Sequence, residues 1–311
     1  MSLSALKTSL LSHDERDVLN MRPIILLLTA LAFSTVGRAA SADGLIFQLP
    51  PDGSWVRYDV SDDADLEYEI GKDVKIPEAN RKELLAAMPR KMKDNTASLT
   101  LSSVGKQEHN GEPHRWIEMT QDVEFPKTGK PGDDKSADKQ SRVITLKMLI
   151  PEKQLQAGAD PLAHVSKLYF KDSDQPVKEV TDEKNKQYQL DRFRPIFPSP
   201  HSDARGTVRE SVQSPNEKIG SLECERLKFP SKYSGPLAGG TRGWWEWSGD
   251  HQIWLHKSVP FGVASLTFSG LSTERNQDKP EDSIIVHVKG TTRVIVAEIG
   301  SNAKSTLPGN N

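Results

Sequence analysis

Short runs in which apolar and polar residues alternate recur along most of this chain, and residues typical of turns separate them. The runs lie at 54–60, 66–70, 97–104, 114–125, 142–150, 207–213, 220–229, 263–270, 283–290 and 293–300. A period of two is typical of a strand with one buried face. Asn110-Gly111, between two of these runs, is a strong hairpin signal. The sequence therefore predicts antiparallel β structure.

Two segments depart from this pattern and favour helices. Segment 77–88 has Pro77 at a helix start, followed by helix-forming residues. Segment 151–170 is interpreted as one or two short helices, the second capped by Asp160 and having one apolar face made of Leu162, Val165, Leu168 and Tyr169. The predicted fold is mainly β with two or three helices: a large curved antiparallel sheet, an incomplete β-barrel, with helices packed against its concave face.

The N-terminal residues are predicted to be separate from this fold. Residues 21–42 combine Arg22, an apolar run from Ile24 to Phe33, and small residues up to Ala42. This is the layout of a secretory signal peptide, and the apolar run is too short to span a membrane. Residues 1–20 are interpreted as a non-native extension. We expect a periplasmic or extracellular protein after cleavage near Ala42, with one β domain over 43–300 and a disordered tail over 301–311.

Charge and cysteine content exclude several classes of protein. The 41 basic and 43 acidic residues nearly balance, whereas a nucleic-acid-binding protein is expected to be strongly basic. We therefore predict no nucleic-acid partner. Cys224 is the only cysteine, so no intramolecular disulfide can form. In its strand-like run it is interpreted as a small buried hydrophobe rather than a nucleophile or a bridging thiol. The charged segment 171–187 is interpreted as a connector.

Four of the six tryptophans lie between residues 242 and 262. Gly249-Asp250 is interpreted as a hairpin turn, which would place Trp245 opposite Trp254. In that hairpin one face carries the candidate ligand-binding residues Trp245, Trp247, Gln252, Trp254 and His256. The other face carries Trp244, Glu246, Ile253 and Leu255. Both a ligand surface and ordinary aromatic packing across strands are consistent with this pattern.

The C-terminal third of the chain resembles a group of uncharacterised bacterial secreted β-proteins. The resemblance rests on a Gly-x-Leu-x-Cys strand, an aromatic strand and a Val-Pro-Phe-Gly turn, represented here by Gly220, Leu222, Cys224, Val259, Pro260, Phe261 and Gly262. The fold of that group is similar to the LolA/LolB-like half-barrel of outer-membrane lipoprotein carriers. The resemblance implies an incomplete barrel curled around a helical lid, with an apolar cavity. It implies no catalytic residue.

Motifs for catalysis or metal binding are absent from the sequence. It lacks a Gly-x-Ser-x-Gly elbow, a phosphate-binding loop and an EF-hand, and its histidines lack the spacing of metal ligands. We predict no catalytic residues, no metal and no cofactor. A carboxylate pair such as Glu118 with Glu246 stays open, because glycosidase pairs are distant in sequence.

These observations favour an exported, non-catalytic envelope protein that binds a lipid or another hydrophobic small molecule in a half-barrel cavity and associates peripherally with the envelope. The first alternative is a carbohydrate or cell-wall recognition module that uses the tryptophans. The second is a secreted hydrolase.

Overall fold

The structure is a computed structural model in which part of the chain is described. The described residues are 45–72, 74, 76–88, 90–92, 96–126, 139–156, 159–191, 208–214, 216–217, 219–236, 243–276 and 284–308. The predicted N-terminal extension and the predicted signal peptide lie outside them.

Strands dominate the described residues. The strands are β1 (Trp55–Ile70), β2 (Lys91–Met92), β3 (Thr96–His109), β4 (Glu112–Pro126), β5 (Lys139–Pro151), β6 (Lys167–Asp172), β7 (Lys178–Glu179), β8 (Val208–Gln213), β9 (Ser221–Pro236), β10 (Gly243–Leu255), β11 (Val263–Asn276) and β12 (Ile284–Gly300). Two α-helices accompany them, α1 (Glu78–Ala87) and α2 (Glu183–Asp191). Two single 3₁₀ turns, Glu152–Gln154 and Pro161–His164, follow β5.

All twelve strands belong to one antiparallel sheet. Its order is β7-β6-β5-β4-β3-β1-β12-β11-β10-β9-β8, and β2 pairs with part of β1. Within the described residues β7 and β8 form the two ends and do not pair with each other, so the sheet stays open. The predicted fold class, a large curved antiparallel sheet with few helices, is confirmed.

Hydrogen bonds between distant strands show how strongly the sheet curls. The Tyr58 hydroxyl on β1 donates to the Val263 carbonyl on β11, over a distance of 3.0 Å, although β12 lies between these strands. Just after β8, the Ser214 hydroxyl donates to the Val296 carbonyl on β12 at 2.7 Å, past three intervening strands. The concave face therefore encloses the main hydrophobic core, to which α2 contributes Leu190.

The Val-Pro-Phe-Gly motif forms a turn that the N-terminal segment holds in place. The Phe47 amide donates to the Phe261 carbonyl at 2.8 Å, and the Gln48 side chain donates to the Val259 carbonyl at 2.7 Å. Gly262 has a φ of +90°, a conformation that side chains disfavour. Leu45, Phe261 and Val259 are all fully buried. The motif therefore packs against the N-terminal segment and forms the turn between β10 and β11.

The sequence predicted the Asn110-Gly111 turn and the Asp160 cap correctly, but not the helix expected after Asp160. Asn110 and Gly111 both have positive φ and connect β3 to β4, as predicted. The Asp160 side chain accepts a hydrogen bond from the Ala163 amide, but the helix expected there is one 3₁₀ turn. The chain becomes strand β6 at Lys167, so the predicted apolar helix face is wrong.

The charged segment 171–187 forms more structure than its interpretation as a connector allowed. It ends in the beginning of α2, which starts after Asp182. The Asp182 carboxylate accepts a hydrogen bond from the Asn185 amide at 2.8 Å. Such a cap is a usual helix start.

The C-terminal segment packs on the convex face of the sheet. Glu118 on β4 accepts hydrogen bonds from the hydroxyls of Ser305 and Thr306, both at 2.7 Å. The fully buried Lys147 on β5 donates to the carbonyls of Leu307 and Pro308, both at 3.0 Å. The predicted disordered tail over 301–311 is therefore corrected for 301–308, and residues 309–311 lie outside the described part.

Candidate functional site

The tryptophan-rich segment is one continuous strand, not a hairpin. β10 pairs along its whole length with β9 on one side and β11 on the other. The predicted Gly249-Asp250 turn is therefore wrong, and so is the pairing of Trp245 with Trp254. Trp245 pairs with Glu274, and Trp254 pairs with Ser265. Two long neighbours leave no room for a turn in the middle of the strand.

Gly249 has a different role, which is close contact between strands. Gly249 on β10 pairs with Gly270 on β11, and Gly270 pairs in turn with Gly290 on β12. Gly290 then pairs with Ala64 on β1. We call these four residues the glycine row. A Cβ on Gly249 would lie 2.7 Å from the Cα of Gly270, and one on Gly290 would lie 2.6 Å from the Cβ of Ala64. Only residues with minimal side chains fit where the strands come this close.

Because a strand alternates its faces, the five predicted site residues do not share one side. Trp245 and Trp247 occupy register positions of the concave face, whereas Gln252 and Trp254 have the opposite parity. The Trp254 indole donates a hydrogen bond to Glu210 at 2.9 Å. His256 lies beyond the strand, where its Nδ1 is 2.6 Å from the Ser258 hydroxyl. The side chain of Trp245 lies outside the described part of the structure.

The register identifies a different set of residues that do share a face. Four successive rows cross β10, β11, β12 and β1 on the concave side. The first row holds His251, Phe268, Thr292 and Asp62; the second is the glycine row; the third holds Trp247, Ser272, Val288 and Leu66; the fourth holds Trp245, Glu274, Val286 and Tyr68. We call these rows together the concave trough.

Aromatic rings fill the side of the concave trough that β10 forms. The Trp247 ring lies over the glycine row, with its Cζ2 atom 2.8 Å from the position that a Cβ on Gly249 would take. An aromatic ring commonly fills the space that a glycine leaves in a sheet. The buried His251 ring stacks on Phe229 at 5.4 Å and lies 5.2 Å from the Trp247 ring. The rings of Trp247, His251 and Phe229 therefore pack together on the β10 side of the trough.

Burial changes along the concave face at the glycine row. On one side, Val294, Leu266 and Ile253 are fully buried in the main core. On the other side, Leu66 belongs to a separate small cluster in which Tyr68, Val286 and Val288 are only partly buried. The chain's own segments fill the first region and leave apolar side chains of the second partly uncovered.

Two carboxyl groups occupy register positions of the concave trough on opposite sides of the glycine row, Asp62 next to the main core and Glu274 opposite Val286. Asp62 is 8% exposed and accepts a hydrogen bond from the Thr292 hydroxyl. Burial raises the pKa of Asp62 to about 7, and the Thr292 hydrogen bond opposes this only in part. Burial likewise raises the pKa of Glu274, also 8% exposed, to about 7. Near neutral pH each group can therefore hold or release a proton.

These carboxyls cannot form a glycosidase pair. Asp62 and Glu274 lie in rows six residues apart along the strands. At about 3.3 Å per residue the separation is roughly 20 Å, whereas such enzymes need about 5–9.5 Å. Glu118 and Glu246 are also committed elsewhere, Glu118 to the C-terminal segment and Glu246 to Arg275 at 2.9 Å.

Cys224 has no feature of a nucleophile. It is 1% exposed, and its thiol donates to the Leu222 carbonyl. Burial raises its pKa to about 11, which keeps the thiol protonated. Its environment is that of a small core residue.

A second concavity, of about 370 Å³, lies at the β3–β4 hairpin. Its histidine, His114, is held between the Glu112 carbonyl at 2.9 Å and the Ser166 hydroxyl at 3.1 Å. Beside it, Arg115 is paired with Glu152 at 2.7 Å. These polar groups are already bonded to the protein, so this cleft is a weaker candidate than the concave trough.

The described residues contain no group of three His, Cys, Asp or Glu side chains arranged to hold a metal ion. Neither helix in the described part of the chain has the length and apolar character needed to cross a membrane.

Comparisons with known proteins do not place the chain in a family. No family model and no curated protein matches it. One solved structure with a detected similarity is a Bacteroides fragilis protein, provisionally assigned as exported and as having a YmcC-like fold. The two sequences are 8% identical. The structural alignment covers 83% of this chain and 100% of the Bacteroides fragilis chain, with a TM-score of 0.28.

Proposed function

We propose that this chain is an exported, non-catalytic binding protein that holds an apolar, lipid-like ligand in the concave trough. The observation that carries the proposal is the change of burial at the glycine row. Beyond it, Tyr68, Val286 and Val288 stay partly uncovered on the face that elsewhere forms the core. Burying such side chains under a ligand is worth about 25 cal/mol per Å² of apolar area.

The sequence adds support for export. Residues 21–42 have the charge, apolar run and small residues of a secretory signal peptide. The resemblance to secreted half-barrel proteins, drawn from the Val259–Gly262 motif, agrees with an apolar binding cavity. N-terminal sequencing of the protein from a periplasmic fraction should give a chain that starts just after Ala42.

A paired substitution tests ligand binding in the trough. Val288 lies on the concave face, whereas Leu271 is 44% exposed at the opposite parity of the neighbouring strand. The probe is an uncharged apolar fluorophore, phenylnaphthylamine, titrated into the purified mature chain. We expect Val288→Gln to weaken binding about tenfold and Leu271→Gln to leave it unchanged.

The proposal fails if the wild-type chain binds no fluorophore. It also fails if Val288→Gln, with an unchanged circular dichroism spectrum, binds the fluorophore as tightly as wild type. Mass spectrometry of a solvent extract of the purified protein then identifies any ligand retained from the cell.

A further inference from the structure

One oxygen of Asp62 has no hydrogen-bond partner in the part of the chain that the structure describes. Its Oδ1 atom accepts the Thr292 hydroxyl, but its Oδ2 atom is buried and has no hydrogen-bond partner among the described residues. Asp62 lies on the concave face, since its neighbours Ser61 and Asp63 are exposed on the other side. A buried polar atom without a partner costs free energy, on the order of 1–3 kcal/mol.

The space beside this oxygen is bordered by the smallest side chains of the sheet. The next row on β1 and β12 consists of Ala64 and Gly290, which are directly opposite each other. Along these two strands, Asp62 therefore has a methyl group and a glycine as its next neighbours on the concave face rather than large side chains.

The charge of the trough has one sign. None of the register positions in its four rows is a lysine or an arginine. The titratable groups that occupy these positions are Asp62, Glu274, Tyr68 and His251, and Arg90 acts on Tyr68 from the segment before β2. A cationic group that enters the trough beside Asp62 would meet a carboxyl group and no competing basic side chain of the rows.

We propose that the concave trough selects amphiphiles with a primary ammonium head group, and that Asp62 Oδ2 accepts a hydrogen bond from this group. The inference rests on the proposed function and adds the chemistry of the ligand's polar end. The apolar chain lies along Tyr68, Val286 and Val288, and the ammonium group satisfies the unpartnered oxygen. Charge-assisted hydrogen bonds of this kind are stronger than neutral ones.

Binding depends on pH with a defined sign. The ammonium group pairs with an ionised carboxyl, and burial holds part of the Asp62 population protonated around pH 7, because its pKa is raised to about 7. Affinity for an amine should therefore increase as the pH rises from about 6 to about 8. Glu274, whose pKa is also raised to about 7, changes charge over the same range.

Three probes of equal chain length separate the head group from the chain: decylamine, decanol and decanoate. Each displaces phenylnaphthylamine from the mature protein at about pH 8. We expect decylamine to bind about tenfold more tightly than decanol and decanoate more weakly than both. Asp62→Asn should remove the preference for decylamine and leave decanol binding unchanged. The adjacent Asp63→Asn, which removes the same charge on the exposed face, should keep the preference.

The outcomes separate this inference from the proposed function. If none of the three probes binds, both are wrong. If decanol binds but decylamine has no advantage, or if Asp63→Asn loses the advantage as fully as Asp62→Asn does, the assignment of Asp62 to an ammonium group is wrong while the apolar binding site remains. Tighter binding of decanoate than of decylamine overturns the assignment as well.

Discussion

Asp62 and Glu274 are the residues on which the chemistry of the concave trough depends, and their burial has a cost. Both carboxyls have a pKa raised to about 7. The folded state therefore binds their protons more tightly than the unfolded state does. The contribution of the two carboxyls to the free energy of unfolding is therefore largest at pH values below their unfolded pKa values, near 4, where both are protonated. It is lost as the pH rises through about 7 and the buried groups must ionise.

This gives a prediction for the ligand-free protein. Between about pH 5 and about pH 8, the free energy of unfolding should fall by on the order of 2 kcal/mol for each carboxyl. Asp62→Asn and Glu274→Gln should each remove their part of the decline. Urea unfolding at the two pH values measures it.

Asp63→Asn serves as the control, because Asp63 is exposed on the other face of the same strand. It should show the wild-type decline. A decline of the same size in Asp62→Asn as in wild type would contradict the assignment of the pH dependence to Asp62.

The sequence identified some residues of the candidate site and missed others for a physical reason. Trp247 was identified from the crowding of indoles. Asp62 was missed because it lies in an acidic run, "SDDAD", which reads as a solvated surface. Its burial depends on pairing between β1 and β12, whose residues are more than two hundred positions apart. Local spacing carries no information about such a partner.

At the scale of elements, β10 shows how one misinterpreted residue changes a whole face. Gly-Asp is a legitimate turn signal, but in this chain the glycine marks a close approach of strands. Placing a turn there reversed the parity of the second half of the strand. Trp254 and Gln252 were thereby assigned to the face of Trp247, whereas in the continuous strand their register positions have the opposite parity.

Side chains larger than hydrogen or methyl do not fit in the glycine row, and this limit can be tested by substitution. A Cβ on Gly270 would lie 2.9 Å from both the Gly249 Cα and the Trp247 ring. Backbone atoms of a paired strand cannot move aside cheaply, so Gly270→Ala should destabilise the protein by about 3 kcal/mol. The midpoint of urea unfolding measures this loss.

Gly111→Ala is the matched comparison. Gly111 has a φ of +75°, but no atom lies within 4 Å of the position of a Cβ. Only the conformational cost remains, so we expect a loss of about 1 kcal/mol. Equal losses at the two positions would show that close strand contact is not what requires glycine at position 270.

At the scale of the whole molecule, the sheet consists of two meanders joined by one strand pair. β1 with β3 to β7 forms one meander, and β8 to β12 forms the other. They meet in the ladder between β1 and β12 and in the shared core, where Tyr58 bonds to Val263. The segment that follows β12 adds hydrogen bonds to β4 and β5. Alternation predicted most of the strands, but this joining pair lies beyond any local pattern.

Since the core is shared, the two meanders should unfold together. β10 supplies four of the six tryptophans, so fluorescence reports mainly on the second meander. Hydrogen exchange of the amides in β4 and β5 reports on the first. We expect both measurements to give the same free energy of unfolding. Protection of β4 and β5 that outlasts the fluorescence change would show that the meanders are independent.

The pairing of β1 with β12 also determines when the protein can fold during synthesis. Trp55 pairs with Gly300, so this central ladder has a very high contact order. While the nascent chain emerges, β1 can pair with β3, but its other edge has no partner until the final strand leaves the ribosome. Exposed edges of this kind invite aggregation. The chain is therefore expected to need protection by a chaperone until its last strand is available.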